Sequence, residues 1–117
     1  MPKLSQDNPI AQKSILFAIK IVKAINIMPK TPAGFAVGDQ LVRSGTSIGA
    51  NIQEAQRARS RKDFRNCMQI ALKEAVEARY WIFVARKSGL LKDTGLDRDL
   101  EEIIKILSVI IKNCKID

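Results

Sequence analysis

Between residues 64 and 85 small and apolar side chains recur every three or four positions: Phe64, Cys67, Met68, Ala71, Ala75, Ala78, Ile82 and Ala85. A repeat of that period, sustained over so many turns, describes one long helix with a single seam, where a strand would need alternation. Alanines along the seam mark places where a neighbouring helix comes close. Leu72, Val76 and Phe83 lie off it. Ser60 with Asp63 three residues on resembles a capping box with Asp in place of Glu, and Gly89 is a natural stop. The pattern predicts a helix over about 61–87.

A helix with one apolar seam needs partners, and the chain supplies three. Asn8-Pro9 is a helix start, with Asn as cap and Pro at the first helical position, where its missing N–H costs nothing. A helix is predicted over about 9–26, with Ile15, Ile19, Val22 and Ile25 on one face and Phe17, Ile21 and Ala24 as a second apolar edge. Residues 1–8 read as a loose arm. Pro29, Pro32, Gly34 and Gly38 make 28–38 a loop by breaker content. Over 39–57, Leu41, Ile48, Ile52 and Ala55 share one helical face, flanked by Gly45 and Gly49. Each internal glycine costs about 1 kcal/mol relative to Ala, a cost best explained by close approach of a neighbour. The rival reading there is a loop at SGTSIGAN. The last helix is predicted over about 95–113, capped by Thr94 with Asp97. Its acids Asp97, Asp99, Glu101 and Glu102 suit its positive N-terminal end. Leu96, Leu100, Ile103, Ile104, Leu107 and Ile111 form its core face.

Four helices with short connections in 117 residues predict one all-α domain, an up-down-up-down four-helix bundle. The first and last helices are apolar over more of their circumference than a bundle needs, which predicts subunit contacts.

The absence of histidine from the sequence excludes Ser-His-Asp and Cys-His catalysis, the Glu-x-x-His pattern of dimetal bundles, and most zinc sites. Glu54, Glu74 and Glu102 are therefore better read as solvated or salt-bridged than as metal ligands. RSGTSIG lacks the closing Gly-Lys-Ser/Thr of a phosphate loop and no strand precedes it. Cys67 falls in the helical seam, as a small core residue would. The expectation is a non-enzyme with no cofactor, metal or catalytic residue. Cys67 and Cys114, without a CxxC pair, fit a reducing cytoplasm. The N-terminus lacks the apolar run of a signal peptide, and no membrane span is expected.

The net charge of +8 is concentrated. Arg57, Arg59, Arg61, Lys62 and Arg65 crowd the turn between the second and third helices. An up-down layout brings Lys112 and Lys115 to the same end, while Lys30, Arg86, Lys87 and Lys92 at the other end are offset by the acids of the last helix. One strongly basic end suits a polyanion, and arginine forks suit phosphates through salt-sensitive, sequence-tolerant contacts. Phe64 is the one aromatic residue in the cluster, and its spacing assigns it to the core, so base stacking is not indicated. Solubility is the plainer explanation of the charge. Arg43, Ser47, Asn51 and Glu54 form a separate polar stripe: a solvated face, an inter-helix hydrogen-bond ladder or a subunit contact. Arg43 and Glu54 lie roughly 16 Å apart by helix rise and cannot pair directly.

The run Gln40-Leu41, Arg43, Ser47-Ile48, Asn51-Ile52, Glu54-Ala55, Ser60 and Asp63-Phe64, continued by Ile70 to Trp81, resembles a bacterial four-helix-bundle family. That family includes proteins encoded by intervening sequences inside large-subunit ribosomal RNA genes, and accessory proteins of diversity-generating retroelements. The resemblance implies a homopentameric ring, a basic surface that engages RNA, and no catalytic residues. For retroelement members it implies a reverse-transcriptase partner; a ribosome-associated partner is the other expectation. It moves Arg43, Ser47, Asn51 and Glu54 towards structural or inter-subunit roles. Two functions follow as expectations: an oligomer binding structured RNA or an RNA–protein complex through its basic end, or a protein assembly scaffold without a direct RNA role.

Overall fold

The computed structural model describes residues 8–92 and 95–116. They form α1 (Pro9–Asn26), α2 (Pro32–Ala55), α3 (Arg61–Lys87) and α4 (Leu96–Asn113). Each helix packs on the next and α4 closes against α1, giving an elongated bundle of 49 × 26 × 21 Å. Cross-helix ion pairs fix the directions. Lys13 pairs with Glu102 and Lys20 with Asp99, while Arg79 pairs with Glu101 and Arg86 with Asp97. Residue numbers rise on α1 and α3 as they fall on α4, so α4 runs antiparallel to both.

Local chemistry sets most helix ends. Asn8 Oδ1 accepts from the N–H groups of Ile10 and Ala11 at 3.1 and 3.5 Å. Ser60 Oγ accepts from Asp63 N–H at 3.0 Å. At the end of α3, Gly89 takes φ of 80° and its N–H donates to Arg86 O, while Leu90 N–H donates to Ala85 O at 2.8 Å. This left-handed cap satisfies carbonyls that the helix would otherwise leave open. Residues 1–7 of the expected arm and the expected cap Thr94 lie outside the described residues; Gly95, with φ of 79°, holds the cap position of α4.

Two expected helix bounds are corrected. The second helix starts at Pro32, not 39, because Thr31-Pro32 repeats the logic of Asn8-Pro9: Thr31 Oγ1 accepts from Gly34 N–H at 3.1 Å and Pro32 takes the first helical position. The breakers Pro32, Gly34 and Gly38 are helix residues. The same helix stops at Ala55, not 57, since Arg57 N–H and Ala58 N–H bond three residues back, to Glu54 O and Ala55 O, tightening the chain out of the α-helix. On α1 the inward face is the second edge: Ile10, Ala11, Ser14, Phe17, Ile21 and Ala24 are buried, and Ile19 and Val22 face outward at 45% and 43% exposure.

The core runs the bundle's length. Ala71, Ala75, Ala78, Ile82 and Ala85 are wholly buried on α3, as are Leu41, Ile48 and Ile52 on α2 and Leu100 and Leu107 on α4. SGTSIGAN is helical, and its glycines bring α1 close. A Cβ on Gly45 would meet Ile21 Cγ1 at 3.0 Å, and one on Gly49 would meet Ser14 Oγ at 3.2 Å. Ser14 is itself wholly buried, its hydroxyl donating to Ala11 O at 2.8 Å. That bond removes the penalty of burying it.

Outward apolar surface is distributed differently from the expectation for the first and last helices. It lies on α1, at Leu16, Ile19 and Val22, on α3, at Ile70, Val76, Tyr80 and Phe83, and at Phe35 near the start of α2, while on α4 only Val109 is strongly exposed. Among the described residues no helix is long and apolar enough to cross a membrane.

Candidate nucleic-acid interface

The turn between α2 and α3 and the end of α4 meet at one end of the bundle. Arg61 Nη1 donates to Lys115 O at 3.2 Å, and Cys114 Sγ lies 3.8 Å from Arg61 O, on which its thiol hydrogen is directed. These contacts bring together segments more than fifty residues apart. Between them lies a groove of about 860 Å³. Ala58, Phe64, Val109 and Ile110 supply its apolar lining; Arg59, Ser60, Arg61, Asn113, Cys114 and Lys115 supply the rest.

The seven cations expected at this end divide into three groups. Arg59, Arg61 and Lys115 line the groove. Arg57, Lys62 and Lys112 are exposed outside it. Arg65 is half-buried, and its Nε is enclosed without a hydrogen-bond partner among the described residues. None of the seven is in an ion pair among the described residues, whereas Lys13, Lys20, Arg79 and Arg86 are matched to the acids of α4. The acids of α4 are thus engaged away from the turn, and Glu54 and Asp63, both exposed, are the acids that remain near it. Exposed pairs of this kind contribute roughly 0.2–1 kcal/mol each to stability, so their larger effect is on where uncompensated charge remains.

Phe64 is the residue that its spacing misassigned in part. It packs against the core and also lines the groove. Its place near the start of α3, within a run of cations, was visible; its exposure to a groove depended on how Val109, Ile110 and Asn113 of α4 sit beside it. Val109 and Asn113 were missed for the same reason.

The polar stripe of α2 folds back on its own helix. Arg43 reaches Asp39, a partner one turn earlier on the same helix, at 3.7 Å. Ser47 Oγ donates to Arg43 O and Asn51 Nδ2 donates to Ser47 O at 2.8 Å; Glu54 is exposed. No inter-helix ladder forms among the described residues of the protomer. Val76 and Phe83, expected off the seam, form with Tyr80 an outward stripe on α3, where Tyr80 meets Trp81 edge to face and Lys87 Nζ lies 5.7 Å from the Phe83 ring centre.

No group of three or more acids, cysteines or histidines is placed to hold a metal among the described residues. The geometry offers positive charge, arginine forks and an apolar recess, which together suit an anionic polymer with planar groups. A family model described as 23S rRNA-intervening sequence protein matches residues 6–112. The chain belongs to that family. Among solved structures it is similar to a protein of unknown function from the S23 ribosomal protein family of Bacteroides thetaiotaomicron VPI-5482. The two share 40% sequence identity over 89% of this chain and 99% of that one, with a TM-score of 0.83. No curated protein matches. Membership covers all four helices, so the bundle is the family's fold and the groove is built from residues within the matched span or just past its end.

Proposed function

We propose that this family member is a non-enzymatic bundle that binds structured RNA, or an RNA–protein complex, on its basic end. One observation carries the reading. The acids of α4 are paired with Lys13, Lys20, Arg79 and Arg86, while Arg57, Arg59, Arg61, Lys62, Arg65, Lys112 and Lys115 are in no ion pair among the described residues. A surface of unmatched arginines gains affinity for phosphates by displacing their counterions. The family's description, which refers to 23S rRNA, supports RNA as the polyanion. The protein acts in the cytoplasm as an oligomer of identical subunits, with Leu16, Ile19 and Val22 on α1 as the apolar surface that a neighbouring copy covers. The family resemblance sets the expected subunit number at five.

The test is fluorescence anisotropy with a labelled RNA hairpin across a salt series. Affinity falls as salt rises, with a log–log slope of roughly −0.7 to −0.9 per phosphate contact. Reversing Arg57, Arg59, Arg61 and Lys62 together to Glu abolishes binding while leaving the helical signal intact. Unchanged affinity in that variant removes the basic end as the site.

A second reading is favoured by the α3 stripe. Val76, Tyr80 and Phe83 form a surface of the composition that protein partners cover. On that reading the protein is a scaffold or accessory factor, for example for a reverse transcriptase. A purified oligomer without RNA affinity at low salt decides for it.

A further inference from the structure

We infer that the groove between the α2–α3 turn and the end of α4 receives an unpaired nucleotide of the bound RNA, with its base against Phe64 and its phosphate on Arg59, Arg61 and Lys115. The inference rests on the RNA reading above and adds to it a preference for unpaired over fully paired RNA. A contact made only with duplex phosphates needs an exposed cationic surface. Arg57, Lys62 and Lys112 already provide one outside the groove. The recess beside them has a different composition, with Phe64, Val109 and Ile110 together with three cations and no acid among the described residues that line it. It is a broad, solvent-open depression of about 860 Å³, room enough for one nucleotide to lie against its wall.

The walls are held before any ligand arrives. The Arg61 guanidinium is anchored on Lys115 O at 3.2 Å, which spends one of its five N–H donors and leaves the others available. The Cys114 thiol against Arg61 O ties the same two segments. A fixed recess costs less ordering on binding than one that must be assembled. Phe64 packs on the core with its inner side, so the ring is braced where it meets the groove. An aromatic face beside arginines is the arrangement on which a base stacks with its phosphate neutralised, and every base has such a face, so the site discriminates pairing state and tolerates sequence.

The experiment compares two labelled hairpins of equal phosphate count, each closed by a non-nucleotide linker in place of a loop, one fully paired and blunt, one with a three-nucleotide bulge. The bulged hairpin binds more tightly, by roughly five- to a hundredfold for one stacked base. Phe64→Leu, which keeps an apolar side chain against the core, erases that preference; Phe64→Tyr keeps it. Wild-type protein titrated with uridine 5′-monophosphate shows ring-current shifts at the Val109 and Ile110 methyl groups, and ribose 5-phosphate does not produce them; this arm holds even where a variant folds poorly. Equal affinity for both hairpins, or identical shifts with the two small ligands, overturns the groove assignment and leaves the basic end standing. Binding to neither hairpin overturns the RNA reading and the groove with it. An acidic helical peptide that shifts the same methyl groups where the nucleotide does not overturns the inference in favour of a protein ligand.

Discussion

Glycine-to-alanine exchange along α2 gives opposite signs at three positions, and the spacing of α1 and the loop before α2 sets each one. Gly38 and Gly45 lie in the helix interior, where each exchange gains about 1 kcal/mol in helix propensity, and Gly34, at the third helical position, gains less. At Gly38 the new methyl would lie 3.5 Å from Ile25 Cγ2, an ordinary contact, and the full gain remains. At Gly45 it would lie 3.0 and 3.2 Å from the two γ-carbons of Ile21, which is wholly buried and β-branched. Such a side chain has one favoured rotamer in a helix and little room to yield, and overpacking costs about 1–3 kcal/mol. The net effect runs from neutral to a loss of about 2 kcal/mol. At Gly34 the methyl would lie 1.9 Å from Pro29 O, a backbone atom. The turn joining α1 to α2 has to move, and the loss is about 2 kcal/mol or more.

The order of stability is therefore Gly38→Ala above wild type, Gly45→Ala at or below it, and Gly34→Ala lowest. Urea unfolding followed by circular dichroism at fixed protomer concentration resolves this, since the extremes differ by about 3 kcal/mol, or roughly 1–3 M in midpoint. A Gly34→Ala protein that unfolds at or above the wild-type midpoint, or Gly38→Ala and Gly45→Ala proteins that unfold together, would refute close packing as the reason for these glycines.

Two further outcomes follow from the fold. Ser60→Ala removes the acceptor for Asp63 N–H and lowers stability by about 0.5–2 kcal/mol, read from the same urea curves, whereas Ser108→Ala, at an exposed mid-helix hydroxyl bonded to Ile104 O, changes it by less than about 0.5 kcal/mol. Replacing Leu16 and Ile19 together by Glu leaves the helical signal in place and shifts light scattering on a sizing column towards monomer; an unchanged mass in a folded variant excludes that face of α1 as the subunit contact.

How far the fold could be read from the chain depended on the range of the interaction involved. Caps act over three residues, so Asn8, Ser60 and Gly89 were legible. Thr31-Pro32 was equally local, but Gly34 and Gly38 were weighed as breakers when both are helix residues, Gly34 held close against Pro29 O. The seam of α3 was legible because one face is apolar and the remainder largely polar. The inward face of α1 was not, because α1 is apolar nearly all round and either face could have turned inward. The choice is made by α2, whose Gly45 and Gly49 accept Ile21 and Ser14; a serine gave no sign of belonging in the core until its hydroxyl was bonded to Ala11 O. The basic end was legible as charge, since the up-down layout already places residues 57–65 beside the end of α4. Its groove was not, since that needs the relative position of Phe64 and Val109, side chains on different helices.

The electrostatic character of that end can now be traced to side chains alone. In an antiparallel bundle each end gathers two helix N-termini and two C-termini, so the helix dipoles largely cancel there. The basic end holds the starts of α1 and α3 and the stops of α2 and α4. What remains is Arg57, Arg59, Arg61, Lys62 and Arg65 with Lys112 and Lys115, against the two nearby acids Glu54 and Asp63. The acids of α4 sit in its first half, where they favour the positive helix end and also pair with Lys13, Lys20, Arg79 and Arg86. The placement that stabilises α4 therefore also keeps its acids away from the turn. Selection for a stable last helix and selection for a cationic end act on the same residues in the same direction. Moving those acids towards residue 112 would weaken the helix and the anion-binding surface together.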